Sequence, residues 1–360
     1  MFYIKHRLKA FILVLFTLEF ISKINILYGT FHDNLIRLLH RPESCSDPAT
    51  TFSMCPRHAI EGCFESHYAF WAIRNAVIFE MNSMQIGFIG QGFIGKAYAD
   101  DYERRGFSVV RYSKEPAYID NKDAIAGCDI VIIAVPTPTT PEGFDSSIVE
   151  GVIDLVGVGK TVVIKSTLLP GTTEKIQEMY PDRVVLHSPE FLRARSADAD
   201  VQNPDRNIIG IPKDTSEHLA AAEAVLATFP KAPFQTIVAS KESELVKYAG
   251  NVFLAMKVVF ANMLFDLSNS IGADYEKVKD AFGADPRIGK THLTVNFEGG
   301  RGAGGYCLIK DLSAFNDFYS LHVDDNIGAG ALKHLQEKNI QLLKSTGKDP
   351  DLLEGVHGPQ

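Results

Sequence analysis

The residues best placed to do chemistry are gathered in four segments. Gly302-Ala303-Gly304-Gly305-Tyr306-Cys307-Leu308-Ile309-Lys310-Asp311 is a glycine-rich stretch that delivers a thiol next to an ammonium and a carboxylate. A cysteine so flanked can act as a nucleophile in its thiolate form, while taken alone it reads equally as an inert buried thiol. Lys247 and Asn251 stand four apart, so a helix carries them on one face. Buried, such groups are costly without partners, so they either satisfy structural bonds or line a site. Ser166-Thr167-Leu168-Leu169-Pro170-Gly171-Thr172-Thr173 follows the apolar run 161–165, at a carboxyl strand end, where open α/β sheets bind their ligands. Ser188-Pro189-Glu190-Phe191-Leu192 follows another such run and sets a carboxylate among apolar neighbours. Each has a plain structural role open to it: Glu190 as a cap, Lys247 as the partner of a surface acid, Asp311 as the N-cap of a helix continuing through Leu312 and Phe315.

These segments hang on a regular framework. Short β-branched runs at 84–89, 108–112, 129–135, 161–165, 183–186 and 207–211 alternate with polar or helical stretches, the pattern of a βαβ array with a parallel sheet. Directly after the first run, Gly90-Gln91-Gly92-Phe93-Ile94-Gly95 opens a helix through Lys96, Ala97, Tyr98 and Ala99. The first glycine permits a tight turn, the second lets a pyrophosphate approach the backbone, and the third lets helix pack on strand. The helix N-terminus offers its N–H groups to the anion. With a strand before it and a helix after it, the motif predicts dinucleotide binding. An acidic residue is expected at the end of the second strand to hold the ribose hydroxyls. It is absent; Ser113 stands in its place, with Arg111 and Lys114 beside it. A hydroxyl between two cations suits a 2′-phosphate, so NAD and NADP both stay open, as does a purely solvated role for the two cations.

Near residue 240 the pattern changes. Residues 243–271 hold no Pro and a single internal Gly, Gly250. Leu245, Ala249, Val252, Met256, Val259 and Met263 form one apolar stripe, and Val246, Phe253, Phe260, Leu264 and Leu267 another. A helix apolar on so much of its circumference is expected to be buried. The prediction is therefore an α/β chain: a Rossmann-like parallel sheet domain over 84–240, an all-helical domain with a long central helix over 241–345, and a polar tail over 346–360.

The first 83 residues read differently. Lys5, His6, Arg7 and Lys9 precede the apolar run 10–18, as in a signal peptide, but Glu19 and Lys23 interrupt it and no small-residue cleavage site follows. Met81 and Met84 stand just before the first strand, so 1–83 is read as an atypical, poorly ordered extension upstream of the true start. Cys55, His58, Cys63 and His67 mimic a ligand set, yet only four residues separate His58 from Cys63, shorter than structural zinc sites use, and no metal is expected. The 360 residues carry 46% hydrophobic and 22% charged side chains and a net charge of −8, with five Cys. No basic block marks a nucleic-acid surface, five Cys in this length make no disulfide scaffold, and no uninterrupted apolar run approaches the roughly 20 residues that span a bilayer.

In combination these motifs resemble the UDP-glucose/GDP-mannose dehydrogenases, the nucleotide-sugar 6-dehydrogenases. The matching residues are Gly90 to Gly95, Val135-Pro136-Thr137-Pro138-Thr139, Ser166-Thr167, Ser188-Pro189-Glu190-Phe191-Leu192, Asn203-Pro204-Asp205-Arg206, Glu244 through Asn251, Arg287-Ile288-Gly289, and Gly304-Gly305-Tyr306-Cys307 with Lys310-Asp311. They span residues 84–343. The resemblance implies that a C6 primary alcohol loses a hydride to NAD, that Cys307 attacks the aldehyde, and that a second hydride leaves the thiohemiacetal before water hydrolyses the thioester. It implies Lys247 and Asn251 as oxyanion donors, Glu190 and Asp311 with Thr167 as proton carriers and water holders, and Lys247 as the charge that lowers the thiol pKa. Gly90, Gly92, Phe93, Ile94, Gly95, Ser113, Lys114, Val135, Pro136, Thr137 and Ser166 would hold the cofactor; Phe191, Leu192, Gly304 and Arg287 would meet the sugar, Arg287 across a homodimer interface built on the long helix. A cytoplasmic enzyme of polysaccharide biosynthesis is implied, with a nucleotide sugar as partner and neither nucleic acid nor membrane.

The chain departs from the family pattern in three places. Only 49 residues follow Asp311, fewer than the family's third, nucleotide-covering domain needs, so that domain is read as missing. Ala194-Arg195 stands after Arg193 where the family usually has Glu-Gly, and the loop between Arg287 and Cys307 is slightly longer. Two other classes stay open: a dinucleotide-binding remnant without turnover, and a two-domain dehydrogenase of the 6-phosphogluconate or 3-hydroxyacid type, whose chemistry needs no thiol.

Overall fold

The computed structural model describes residues 84–359. The signal-like stretch and the Cys55, His58, Cys63 and His67 set lie outside the described residues. Seven strands form the main sheet: β1 (Gln85–Ile89), β2 (Ser108–Tyr112), β3 (Ile130–Ile133), β6 (Thr161–Ile164), β7 (Val184–His187), β8 (Arg206–Ile211) and β9 (Phe234–Ala239), while β4 (Thr139–Thr140) and β5 (Gly143–Phe144) pair as a separate hairpin. The order across the sheet is β2-β1-β3-β6-β7-β8-β9. Five helices belong to this half: α1 (Phe93–Arg104), α2 (Ser147–Ile153), α3 (Thr172–Met179), α4 (Ala197–Gln202) and α5 (Ser216–Thr228).

Alternation along the strands sends side chains to two cores. Ile130 and Ile132 of β3 join Tyr102 of α1 and Val225 and Phe229 beside α5 on one face. Val131 and Ile133 join Val149, Ile153 and Ile176 on the other. Strands buried on both faces are what a parallel sheet under helices requires, and the near-continuous Val/Ile runs supply it.

The sheet is not wholly parallel, however. β7 and β8 run antiparallel, paired at His187 with Gly210. Parallel pairing needs a crossover that carries the chain back along the sheet. Between β7 and β8 only the six-residue α4 is helical, apart from one 3-10 turn, and β8 sets off back toward the other edge. The strand β9, absent from the sequence-based expectation, pairs parallel with β8 at the sheet edge; its Gln235 and Thr236 interrupt the apolar run that marks the inner strands.

The helical half begins at once with α6 (Ser240–Ser270), followed by α7 (Tyr275–Gly283), α8 (Gly305–His322), α9 (Asn326–Ser345) and α10 (Pro350–His357). The two stripes expected on α6 are regrouped. Tyr248, Val252, Ala255 and Val259 are buried, whereas Leu245, Phe253, Met256, Phe260, Met263 and Leu267 are all exposed on one side. Val252 and Ala255 pack on Ala303 and Leu312. By length and composition α6 reaches what a bilayer crossing needs, 31 residues with a mean hydropathy of 1.4 over its most apolar stretch; the sequence-based reading of uninterrupted runs overlooked it because single polar residues break the run. Residues 346–360 are not merely a polar tail: Leu353 and Val356 of α10 pack with Ile309 and Leu343.

Candidate active site

The four cofactor segments predicted from sequence meet at one edge. Gly90, Ser113, Val135 and Ser166 follow β1, β2, β3 and β6, which are adjacent and parallel, so all lie at the carboxyl ends, beside the point where the chain reverses from β2 to β3. Gly90 has φ 94, and a Cβ there would lie 2.3 Å from the Ala134 carbonyl oxygen; a Cβ on Gly95 would lie 1.9 Å from the Gly90 oxygen. Those two glycines are demanded by turn and packing. Gly92 is different: a Cβ on it would meet nothing within 4 Å. It is the N-cap of α1, which has neither a capping side chain nor an acidic residue in its first turn. Unsatisfied helix N–H groups beside open space fit a pyrophosphate. Phe93 is 47% exposed there, with Ile94 half-buried behind it. Ser166 is buried and stitches β6 to β3, donating to the Val135 oxygen at 2.7 Å and accepting from the Val135 N–H at 3.0 Å. Pro136 is exposed and Thr137 buried beside it.

The cation pair proposed for a 2′-phosphate is not available as such. Arg111 bonds Asp100 and Glu103 on α1, each at 2.7 Å, and the Ser113 hydroxyl accepts from the Glu115 N–H at 3.2 Å. Of these three residues only Lys114 is exposed.

The catalytic candidates come from β7, α6 and α8. Lys247 donates to Glu190 Oε1 at 2.7 Å and to the Glu190 carbonyl at 2.8 Å, with both side chains almost wholly buried. Glu190 Oε2 accepts from the Leu192 N–H at 2.8 Å, which folds the Glu190–Leu192 segment around the pair. Burial is the largest influence and works against the Lys247 charge, but the charge and hydrogen bond of Glu190, with the nearby Asp311, together outweigh it and the pKa stands above its ordinary value. Asn251, one turn on, donates to Asp311 Oδ2 at 2.6 Å, while Lys310 holds Asp311 Oδ1 at 2.5 Å. Cys307, in the first turn of α8, is a half-buried free thiol. Lys247, Asp311, Lys310 and Glu190 are the charged groups whose fields reach it, and Asp311 lies one turn further along the same helix.

One expectation is corrected here. Lys247 does pull the thiol pKa down, but burial pushes it up further, so Cys307 rests above its ordinary value as a thiol. Thr167, half-buried after β6, is not among the partners of these groups. Arg287 is also apart from them: its side chain is 88% exposed and pairs with Asp285 at 2.6 Å.

Between the two halves runs a cleft of about 1030 Å³, lined by Lys247, Asn251, Phe191, Leu192, Gly304 and Leu308 among others. Arg206 stacks on Phe191 at 3.7 Å to the ring centre. Arg195, which stands where the family pattern has glycine, reaches across the rim to Glu298 at 2.6 Å.

Sequence reasoning missed a second buried network. Lys165, 2% exposed, lies over the rings of Tyr98 and Phe229 at 4.2 and 4.6 Å and donates to Ser188 Oγ at 3.1 Å. Burial lowers its pKa to about 7. His187, beside it, is lowered to about 3 by burial and bonds Ser243 Oγ at 2.7 Å. Glu244 accepts from Gly171 N, Thr173 N and Thr173 Oγ1 at 2.6–2.8 Å, tying α6 to the start of α3. The available signal was a Lys ending the apolar run Thr161 to Ile164.

The chain is similar to known proteins over most of the described residues. Residues 112–229 match the UDP-glucose/GDP-mannose dehydrogenase family, NAD binding domain, and residues 241–339 match the same family's central domain. The UDP-glucose 6-dehydrogenase of Rhizobium meliloti (strain 1021) is 36% identical over 208 residues, covering 54% of this chain and 47% of that protein. That of Rickettsia typhi (strain ATCC VR-144 / Wilmington) is 31% identical over 293 residues, covering 77% and 65%. The chain thus spans about half the length of the first and 65% of the second. Among solved structures, a UDP-glucose dehydrogenase from the hyperthermophilic archaeon Pyrobaculum islandicum aligns with a TM-score of 0.61 at 30% identity, over 73% of this chain and 71% of that one.

Proposed function

Since the chain belongs to the UDP-glucose/GDP-mannose dehydrogenase family, we propose that it oxidises the C6 primary alcohol of a nucleotide sugar to the carboxylate, with Cys307 carrying the acyl group between two oxidations. The observation that carries this reading is that Cys307 shares the first turns of α8 with Asp311, which Asn251 of α6 bonds one turn from the buried Lys247–Glu190 pair, beside a cleft lined by Lys247, Asn251 and Gly304. In balance, one alcohol, one water and two NAD become one carboxylate, two NADH and three protons.

NAD bound at the β1–α1 turn supplies a hydride acceptor. NAD rather than NADP is favoured because Arg111 is already engaged by two carboxylates, leaving no preformed pair of cations for a second phosphate. Phe191, Leu192 and Gly304 line the cleft that takes the sugar. Lys247 and the second N–H of Asn251 face the same cleft and donate to the oxygen that becomes anionic when sulfur adds to the aldehyde carbon. The rest state of Cys307 is the thiol, so attack needs its proton removed, a role we assign to Glu190 or Asp311, and Lys247 favours the thiolate once it forms. Hydrolysis breaks the carbon–sulfur bond, returns a proton to sulfur and adds water oxygen to carbon.

The exposed face of α6, from Leu245 to Leu267, fits a homodimer contact, with Arg287 reaching the partner's sugar site. Use of NAD fits a cytoplasmic reaction, and its sugar-acid product would serve polysaccharide biosynthesis.

The test counts NADH formed per sugar consumed with UDP-glucose and GDP-mannose, for the chain and for Cys307→Ser. Two NADH per sugar with acid product, and loss of acid in the variant, are expected. Acid formation indifferent to Cys307 would overturn the thioester route and favour chemistry of the 3-hydroxyacid type; absence of any turnover would overturn the proposed activity.

A further inference from the structure

The backbone of the glycine-rich stretch that delivers Cys307 is bonded by side chains of α9 and of the chain that follows it. Thr346 Oγ1 accepts from the Arg301 N–H at 3.0 Å. Asn339 accepts from the Ala303 N–H at 2.7 Å and donates to the Ala303 oxygen at 3.0 Å. Lys348 donates to the Phe297 oxygen at 2.8 Å and the Gly302 oxygen at 3.4 Å. Asp349 Oδ2 accepts from the Gly305 N–H at 2.7 Å.

This packing also explains the glycines. A Cβ on Gly304 would fall 2.2 Å from Asp349 Oδ2 and 2.4 Å from Lys348 Cε, and one on Gly300 would fall 2.7 Å from Lys348 Cβ. Two of the closest approaches to this loop are therefore made by Lys348 and Asp349.

Asp349 itself is unusual. It sits at the N-cap of α10 in the left-handed region, φ 53 and ψ 44, and its carboxylate does not cap its own helix. An Asp in that position ordinarily bonds the first turn that follows, and a left-handed non-glycine residue persists only when its surroundings hold it there. Here the carboxylate is spent instead on Gly305, the first residue of α8, two residues before Cys307. Lys348, 7% exposed, packs beside it and lines the substrate cleft. Both residues lie beyond residue 339, where the match to the family's central domain ends.

We propose that Asp349 is a positioning residue for Cys307: its bond to the Gly305 N–H, backed by Lys348, fixes the first turn of α8 so that the thiol is presented to the cleft at one depth. This rests on Cys307 acting as nucleophile. Misplacement of a reacting group by about 1 Å can cost on the order of 100-fold in rate.

The test uses the full chain, Asp349→Ala and Asp349→Asn, with two readouts. The first is turnover to acid: Asp349→Ala is expected to lose roughly 10- to 100-fold in kcat with KM for NAD unchanged, and Asp349→Asn, which keeps an acceptor oxygen, to recover most of it. The second needs no substrate: the iodoacetamide alkylation rate of Cys307, followed by peptide mapping with buried Cys128 as internal reference. Alkylation is expected to quicken several-fold in Asp349→Ala, because a loosened turn exposes the thiol, and to return in Asp349→Asn. A thiol more open to a reagent yet slower in the enzyme is the signature of lost positioning. Wild-type alkylation and wild-type turnover in Asp349→Ala would overturn the proposal. If the wild-type chain makes no acid, the nucleophile reading fails by itself and alkylation alone decides whether Asp349 sets the thiol.

Discussion

Lys247→Met breaks the buried ion pair on which the cleft wall depends. Glu190 and Lys247 are 3% and 5% exposed and joined at 2.7 Å. Unit charges at that separation attract by about 6 kcal/mol at an effective dielectric near 20, and desolvation offsets several kcal/mol of it. Removing one partner is the costly case, because the other stays buried with its charge uncompensated: about 3–5 kcal/mol. In this variant Glu190 would keep only the Leu192 N–H of the bonds it now makes to the two residues. Since whole domains are stable by only about 5–15 kcal/mol, the single variant stands near the limit of folding. Glu190→Gln and the double variant Lys247→Met/Glu190→Gln therefore complete a cycle. Urea unfolding followed by helical circular dichroism should show the double variant more stable than the sum of the singles by on the order of 2 kcal/mol. A cost below about 1 kcal/mol for Lys247→Met, or costs that simply add, would refute the reasoning and remove the electrostatic basis for a cationic Lys247 at the thiol.

Two further outcomes follow from the same structure. Lys165 has its pKa lowered from 10.5 to about 7 by burial, so between those values the unfolded chain binds a proton that the folded chain does not, and stability rises with pH; below about 7 both states are protonated and this contribution is at its floor. Urea unfolding should give about 2 kcal/mol more stability at pH 9 than at pH 7 relative to Lys165→Met, and matching pH profiles for the two proteins would contradict it. Phe253, 61% exposed at the centre of the outward face of α6, should be covered in a homodimer: sedimentation should find the chain dimeric and Phe253→Glu monomeric, and a monomeric wild type at micromolar concentration would dismiss that interface.

The sequence alone was enough for whatever is encoded within a few residues. Gly90 and Gly95 announce their own turn and helix, because the constraints on them are backbone conformation and the close approach of neighbouring backbone. The apolar strand runs announce a sheet buried on both faces, and Lys247 with Asn251 announces one face of one helix by spacing alone. The strand β9 escaped because an edge strand buries little and so needs no continuous apolar run, and β8 was read as parallel because strand direction is set by the length of the crossover rather than by the strand itself.

Tertiary structure decided what depends on partners far away in the chain. Lys247 finds Glu190 across 57 residues and Asn251 finds Asp311 across 60; without those partners neither the charge on Lys247 nor the protonation of Cys307 can be assigned, since both are balances of burial against neighbouring charge. Arg111 looked available for a phosphate until α1 presented Asp100 and Glu103 to it. The apolar positions of α6 looked uniformly buried until packing on α8 divided them into a covered and an uncovered side. Periodicity tells which residues share a face; only the arrangement of neighbours tells what that face meets.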